Sequence, residues 1–185
     1  IIIQSNQIEY EKNKDLIHSN DFTKISINGD YIIDTQNLKY LRSKKILKSD
    51  KKTTLTDNFN NKVETTDFTY FTDEKKFKSK NLRLFDKDLN EYITNESFID
   101  LKTNQIAAKD VKIYFSNQGG FGEHTRLKGN YMISDSETTE INKGIFTSCK
   151  PRDDCPPWSI QSETVVHDKK KKIIEYKNAW LKLYE

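Results

Sequence analysis

The chain has 185 residues, enough for one domain, with 34% hydrophobic and 32% charged residues. Such a sequence is poor in apolar residues for a compact globule, yet 11% aromatic residues argue against plain disorder. A net charge of +3 from 31 basic and 28 acidic residues gives no strongly positive field of the kind that nucleic-acid binding needs. No run of about 18 apolar residues is present to form a membrane-spanning helix. These properties favour an elongated fold with a thin core.

A period of 30 residues organises the first half of the chain. Apolar pairs recur at Ile8/Tyr10, Leu38/Tyr40 and Phe68/Tyr70, and Phe98/Asp100 take the fourth place. A short polar turn follows each pair, and an apolar residue then returns. Regular spacing of this kind is typical of repeats that stack on one another.

Alternation of apolar and polar residues within each repeat predicts strands. It is clear at Ile25-x-Ile27, Leu82-x-Leu84 and Val111-x-Ile113-x-Phe115. Asn28-Gly29 is a favourable tight hairpin turn. A helical repeat would instead show a period of 3.6 residues. The sequence therefore predicts an all-β fold of stacked antiparallel strands.

One face of these strands is expected to point inward. The residues predicted to line the interior are Ile8, Tyr10, Phe22, Ile25, Ile27, Leu38, Tyr40, Phe68, Tyr70, Leu82, Leu84, Phe98, Val111, Ile113, Phe115, Tyr131 and Ile133. In a closed sandwich they would fill a core. In an open fold they would form a long apolar groove suited to acyl chains, since each buried methylene contributes about 0.8 kcal/mol.

No constellation of residues indicates catalysis. The three histidines, His18, His124 and His167, have no metal-ligand neighbours at helical spacing. Gly119-Gly120-Phe121-Gly122 lacks the Lys-Ser/Thr of a phosphate-binding loop, and a hairpin loop is the simpler interpretation. We therefore expect no enzyme activity, metal or cofactor.

Both cysteines, all three prolines and both tryptophans lie between Gly144 and Tyr184. Cys149 and Cys155 flank a proline-containing loop, and the chain has no further cysteines to complete a zinc site. A local disulfide, two free thiols, or a partner for one cysteine elsewhere are all compatible with this spacing.

Several motifs in this stretch carry a resemblance. They are Thr-Ser-Cys at 147–149, Trp-Ser-Ile at 158–160, Glu-Thr-Val-Val-His-Asp at 163–168 and Asn-Ala-Trp-Leu-Lys-Leu at 178–183. Their order resembles the end of the N-terminal periplasmic domain of the LptD (OstA) family, the outer-membrane lipopolysaccharide-assembly proteins. His-Thr-Arg-Leu-Lys-Gly-Asn at 124–130 resembles the preceding family segment more loosely.

The resemblance implies an open, V-shaped β-jellyroll (β-taco) in which residues 1–185 form one periplasmic domain, with the outer-membrane barrel outside this fragment. It implies that an apolar groove conducts lipopolysaccharide from a periplasmic bridge to that barrel, at the periplasmic face of the outer membrane. The implied partners are lipopolysaccharide, an LptA-like bridge protein that pairs with the strand edge near Ile1–Tyr10, the barrel and its LptE lipoprotein plug. Nucleic acid is not expected as a partner.

In the family, cysteines of this domain form disulfides with the barrel. Cys149 matches the family position and Cys155 departs from the pattern. Two alternatives to the LptD interpretation are an isolated LptA-like bridge jellyroll, and a β-repeat scaffold or adhesin with a closed core and no response to lipid.

Overall fold

The structure is a computed structural model that describes residues 1–59, 61–117, 122, 124–150 and 157–183. Strands β1 to β17 span, in order, Ile2–Ser5, Glu9–Glu11, Leu16–Ser19, Thr23–Ile27, Tyr31–Thr35, Leu38–Leu41, Ile46–Ser49, Thr53–Asp57, Lys62–Thr65, Asp67–Phe71, Lys76–Phe85, Glu91–Asp100, Gln105–Tyr114, Arg126–Ser134, Thr138–Thr147, Trp158–Asp168 and Ile173–Leu183. A short 3-10 turn, Lys12–Lys14, precedes β3. All pairs are antiparallel within one 17-stranded sheet, which confirms the predicted all-β stack of strands.

The sheet is folded over along its length, so that two walls face each other. Strands β1, β4, β5, β8 and β9 form the start of the first wall, and β2, β3, β6, β7 and β10 form the start of the second. From β11 onward each strand crosses both walls. Lys76–Lys80 of β11 pair with β10 in the second wall, and Arg83–Phe85 pair with β9 in the first.

One row of apolar side chains, one from each strand, runs unbroken along the inside of the first wall. Its members, in order of pairing, are Ile3, Ile25, Ile33, Leu55, Val63, Leu84, Tyr92, Ile113, Leu127, Phe146, Ile160 and Leu181. Cross-strand neighbours of this kind are the unit of sheet stabilisation. The alternation seen in the sequence thus becomes a continuous apolar surface.

The corresponding row of the second wall is apolar over only part of its length. It runs through Tyr10, Ile17, Tyr40, Leu47, Tyr70, Phe77, Ile99 and Ile106 and continues with Ser134, Thr139, His167 and Ile174. Where this row becomes polar, the buried apolar side chains lie two positions along each strand closer to the fold line, at Met132, Ile141 and Val165. The inner faces of both walls form one buried cluster.

The fold line between the walls has its own sequence pattern. Small hydroxyl residues repeat every 30 residues on its inner side and are almost fully buried, as at Ser19, Ser49 and Ser79. On the outer side, corner residues in the left-handed region include Asn81, Asp110, Lys143 and Asn178, a conformation in which Asn and Asp are enriched. At each corner two successive residues are exposed, so the alternation of inward and outward side chains shifts by one position. The strand can then continue into the other wall with its buried side chains still directed to the interior.

Glycines make room where the walls meet. A Cβ atom on Gly129 would lie 2.1 Å from Ile141 Cγ2, and one on Gly144 would lie 2.3 Å from Val165 Cγ2. Both glycines belong to first-wall segments, and both branched side chains belong to the second wall. The close approach of the walls therefore depends on the absence of side chains at these two positions.

Candidate functional site

An apolar groove of about 690 Å³ lies between the walls. Its lining extends from Leu82 and Thr94, beside the fold line, to Asp86 and Asn104 in the hairpin turns at the opposite side. Its first wall is contributed by β5, β8, β9, β11 and β12, and its second wall by β12, β13, β14 and β16. This volume is within the range of ligand-binding clefts in proteins, about 300–1,000 Å³. The apolar side chains that line it are Leu55, Val63, Leu82, Leu84, Ile99, Leu101, Ile106 and Met132, with the aromatic rings of Tyr31, Phe59 and Tyr92.

Carboxylates in the hairpin turns shape the rim of the first wall. Asp86 Oδ1 accepts hydrogen bonds from the backbone N–H groups of Asp88 (3.0 Å) and Asn90 (2.9 Å). Asp57 fixes the preceding turn in the same way, through the N–H groups of Phe59 and Asn61, both at 2.9 Å. These Asx-type turns explain why carboxylates stand beside an apolar groove.

The Tyr92 hydroxyl donates to Asp86 Oδ2 at 3.2 Å from inside the groove. Burial, and then the charge of Asp86, raise the pKa of Tyr92 far above its ordinary value. The phenol therefore remains a protonated donor under physiological conditions.

A polar cluster occupies the rim of the second wall, where the inner row changes from apolar to polar. Lys169 Nζ donates to Ser134 Oγ at 2.9 Å and to the Asp135 carbonyl at 2.5 Å, and Ser134 Oγ lies 2.7 Å from Thr139 Oγ1. Burial lowers the pKa of Lys169, whereas the charges of Asp86 and Asp135 act in the opposite direction. The groove thus has an apolar interior and a charged mouth.

His167 belongs to the same rim and is 7% exposed. Its ring meets Phe115 of the first wall edge to face, with centroids 5.7 Å apart. Burial and then the charge of Lys169 lower the pKa of His167, against the raising effects of Asp86 and Asp168. The walls are therefore in contact at this end of the groove.

A second contact between the walls crosses the other end of the groove. The Tyr31 hydroxyl, on β5 of the first wall, donates to Asn104 Oδ1, in the turn between β12 and β13, at 3.1 Å. Both residues line the groove. The groove is therefore bounded at both ends by contacts between opposite walls.

Most residues predicted to face inward are buried. Ile25, Ile27, Leu38, Phe68, Tyr70, Leu82, Leu84, Val111, Ile113 and Phe115 are all at most 9% exposed, and Tyr40 is half-buried. Two of them, Leu82 and Leu84, line the groove. Lipid contact by any of these residues stays a prediction.

The predicted inward orientation is wrong for Phe98, Tyr131 and Ile133, which lie on the outer surface and are 37%, 40% and 42% exposed. Residues equivalent to Phe68 and Tyr70 are Ser97 and Ile99, a step of 29 rather than 30 residues. Because side chains alternate with a period of two, one residue of slip reverses the face of the strand.

Three further candidates lie at the ends or the corner of the sheet. Ile8 and Tyr10, 47% and 50% exposed, belong to the N-terminal edge, where β2 pairs only with β3 among the described strands. Phe22 is 57% exposed and lies between β3 and β4 at the fold line. None of the three is enclosed between the walls.

Sequence reasoning missed several groove residues. Tyr92, Ile99, Leu101, Ile106 and Met132 line the groove, but they follow the change of register after β11. The polar residues Ser134, Asp135 and Lys169 gave no signal, because a Lys-rich segment is ordinarily a solvated turn. A signal was available in the alternation of Tyr92, Thr94 and then Ser97, Ile99, which shows the slip across the corner.

Of the two cysteines, Cys149 belongs to the described residues. Cys149 is half-buried and its carbonyl accepts a hydrogen bond from Arg126 Nη1 at 2.5 Å. Cys155 and the Gly119–Phe121 segment lie outside the described residues. Within the part of the chain that the structure describes, no group of His, Cys, Asp or Glu is arranged to hold a metal ion. The described residues also form no helix that could serve as a membrane span.

Both ends of the stacked sheet are open in the described strands. At the N-terminal end β1 pairs with β4 and β2 with β3, and at the C-terminal end β17 pairs with β16. Large apolar side chains are exposed at both edges, among them Ile2 (64%) at one end and Leu181 (61%) and Leu183 (72%) at the other. Unpaired edges of this kind accept further strands.

The chain is similar to a known LPS-assembly protein over part of its length. The LPS-assembly protein LptD of Sodalis glossinidius (strain morsitans) is 32% identical over 82 residues, which are 43% of this chain and 10% of that protein. The chain therefore matches only a small part of that relative's length. No family model matches the chain. This match confirms the similarity to LptD that was predicted from the motifs of residues 147–183. The all-β fold, with its strands stacked into a single sheet, is consistent with that similarity.

Proposed function

We propose that this chain is the N-terminal periplasmic domain of an LptD-like lipopolysaccharide-assembly protein, and that it binds the acyl chains of lipopolysaccharide between its two walls. The observation that carries the proposal is the apolar groove of about 690 Å³ with a charged mouth, in a chain similar to LptD. The domain transports lipid and has no enzymatic role.

The chemistry of the groove suits an amphiphile. Its interior offers aliphatic side chains and aromatic rings, and its mouth carries Lys87, Lys169, Lys170 and Lys172 among several carboxylates. Burying an acyl chain of about a dozen carbons contributes roughly 10 kcal/mol at about 0.8 kcal/mol per methylene, before the cost of ordering the chain. Contact of this kind depends little on position, so a bound chain can slide along the groove.

The continuous first-wall row provides a path for such sliding. It extends from Ile3 at the N-terminal edge to Leu181 at the C-terminal edge. We infer that lipid is received from an LptA-like bridge at the β1–β2 edge and delivered toward an outer-membrane barrel and its LptE plug beyond β17. We propose accordingly that the domain lies at the periplasmic face of the outer membrane.

Photo-crosslinking tests lipid binding directly. A photoreactive phenylalanine analogue is placed at Leu101 or Ile106, which line the groove and are half-buried. Phe98 and Tyr131 are matched controls, because they are apolar but lie on the outer surface. After illumination with lipopolysaccharide, we expect adducts at the two groove positions and none at the controls.

Equal labelling at all four positions would indicate non-specific adsorption and contradict the proposal. No labelling at any position would favour the scaffold alternative, in which the interior is only a core. That alternative rests on the complete burial of Ile25, Ile33, Leu47 and Phe77, each 0% exposed.

The proposed bridge contact has a separate test. Deleting residues 1–10 removes β1 and most of β2, which pair only at the edge of the described sheet. We expect the shortened chain to remain folded and to lose binding of an LptA-like jellyroll. Retained binding would reject edge pairing at this end and would leave the proposal for the groove intact.

A further inference from the structure

The hydrogen bond between Tyr31 and Asn104 joins two parts of the chain that are 73 residues apart and lie on opposite walls. Tyr31 is half-buried against the core through its ring, while its hydroxyl reaches across the mouth of the groove. Leu101 and Ile106, on either side of Asn104 in sequence, line the groove below. The bond therefore spans the opening through which an amphiphile must be inserted or must slide.

Asn104 is distinguished from its counterparts on the same rim. The preceding turns of the second wall carry Lys45 and Lys75 at the corresponding position, with φ values of 53° and 57° beside 55° for Asn104. Lys45 is bound within its own rim, with Nζ 2.8 Å from Asp73 Oδ2. The amide of Asn104, in contrast to Lys45, bonds to the opposite wall.

Tyr31 is suited to be the donor of a bond that opens. Burial, and then the charges of Asp57 and Asp30, raise its pKa, so the phenol keeps its proton at neutral pH. The bond is neutral and solvent-exposed, and bonds of this type make a small net contribution because water replaces them readily. The ring can stay packed against the core while the hydroxyl is released.

We propose that Tyr31 and Asn104 form a latch across the mouth of the groove, and that the latch must open for an amphiphilic ligand with a bulky polar head group to load or to pass this point. An acyl chain in the groove lies beneath the hydrogen bond between Tyr31 and Asn104. A head group that moves along the mouth of the groove is obstructed by this bond. The inference rests on the proposed function, since it concerns access to the same groove.

The test compares Tyr31→Phe, which removes the latch hydroxyl and keeps the ring, with Tyr114→Phe as a matched control. Tyr114 lies on the outer face of β13 and is 41% exposed, so its hydroxyl points away from the groove. Stopped-flow association of a fluorescent lipopolysaccharide is measured for each. Loss of a neutral exposed hydrogen bond shifts an opening equilibrium about 2- to 10-fold, and we expect the association rate of Tyr31→Phe to rise by that factor.

The control is expected to load at the wild-type rate. A rate for Tyr31→Phe equal to that of the wild-type protein, in a chain that binds the lipid, would overturn the latch and leave the proposed function standing. An increase of equal size in both variants would also overturn it, because the effect would then be general loosening.

A ligand-free measurement keeps the latch testable if no lipid binds. Spin labels are attached at Asn58→Cys and Lys102→Cys, exposed positions on opposite rims, after Cys149 and Cys155 are replaced by serine. Tyr31→Phe is expected to broaden and lengthen the distance distribution between the labels, and Tyr114→Phe to leave it unchanged. An unaltered distribution in Tyr31→Phe would refute the latch, whereas failure of lipid binding alone would refute the proposed function.

Discussion

Alanine at Gly144 probes the close approach of the two walls. A Cβ atom there would lie 2.3 Å from Val165 Cγ2, 3.2 Å from Val165 Cβ and 3.5 Å from Leu127 Cδ1. Since carbon atoms pack at about 3.5–4.0 Å, the walls or the Val165 side chain must move by more than about 1 Å. Val165 is 0% exposed, so it has little room to move. Overpacking of this kind costs about 1–3 kcal/mol.

The effect is measurable by urea and thermal unfolding. For a chain of this size, 1 kcal/mol corresponds to roughly 2–4 °C, so Gly144→Ala is expected to lower Tm by roughly 2–12 °C. Gly122→Ala is the matched control, because a Cβ atom at Gly122 meets no atom within 4 Å. We expect that control to stay within about 0.5 kcal/mol of the wild-type protein.

A double variant identifies the clash itself. Val165→Ala alone removes buried methyl groups and is expected to cost about 1–3 kcal/mol. If the alanine at position 144 is harmful because it meets Val165, the double variant should be more stable than the sum of the single effects predicts by about 1 kcal/mol. Additive effects, or a Gly144→Ala protein as stable as the wild type, would refute the packing argument.

Three further predictions concern single side chains. Asn178 adopts φ 49° at a corner and donates a hydrogen bond to Glu163 Oε2 at 2.6 Å. Asn178→Ala is therefore expected to lower the free energy of unfolding in urea by about 1 kcal/mol, and Asn178→Gly to lower it less, because glycine tolerates the left-handed conformation. Equal losses in the two variants would contradict this backbone argument. Backbone N–H groups, first that of Thr138, hold the pKa of Asp135 below its ordinary 3.8, so its stabilisation is full above that pH and is lost as the pH falls. Asp135→Ala should therefore lower the unfolding free energy by about 1 kcal/mol at neutral pH and by less in acid, and a constant difference would argue against this assignment. Burial lowers the pKa of His167 below 6.5, so the unfolded state takes up the proton first and the stability of the protein falls as the pH drops below that value. The unfolding free energy of His167→Gln, measured against pH, should therefore fall less steeply than that of the wild-type protein. An unchanged slope would exclude His167 as the source of the pH dependence.

Much of the fold follows from local patterns in the sequence. Alternation at Ile25-x-Ile27 and Val111-x-Ile113 predicts that these side chains are in the interior, and they are buried in the structure. The 30-residue period corresponds to one passage of the chain across both walls and one return passage. Both signals are local, because a strand's inward face is encoded by every second residue. The buried Ser19, Ser49 and Ser79 carry the same period and mark the fold line.

The candidate site was less predictable because it depends on register. Extending the period by 30 from Phe68 gives Phe98, whereas the strand pairing gives Ser97. One residue of difference moved Phe98 and the later candidates Tyr131 and Ile133 to the outer surface. Corners in β11 to β17 add further shifts, which the sequence carries only as a break in alternation such as that between Thr94 and Ser97.

Alternation, turn chemistry and short motifs are properties of neighbouring residues, so an all-β stack of antiparallel strands and a resemblance to LptD could be predicted from the amino-acid sequence. Where the walls touch and where they part depends instead on the three-dimensional arrangement of the strands. Gly144 beside Val165 and Tyr31 beside Asn104 are contacts between distant segments, and they arise from how the corners orient whole walls. The groove exists where these long-range contacts leave the inner faces apart, so its position could not be read from any single strand.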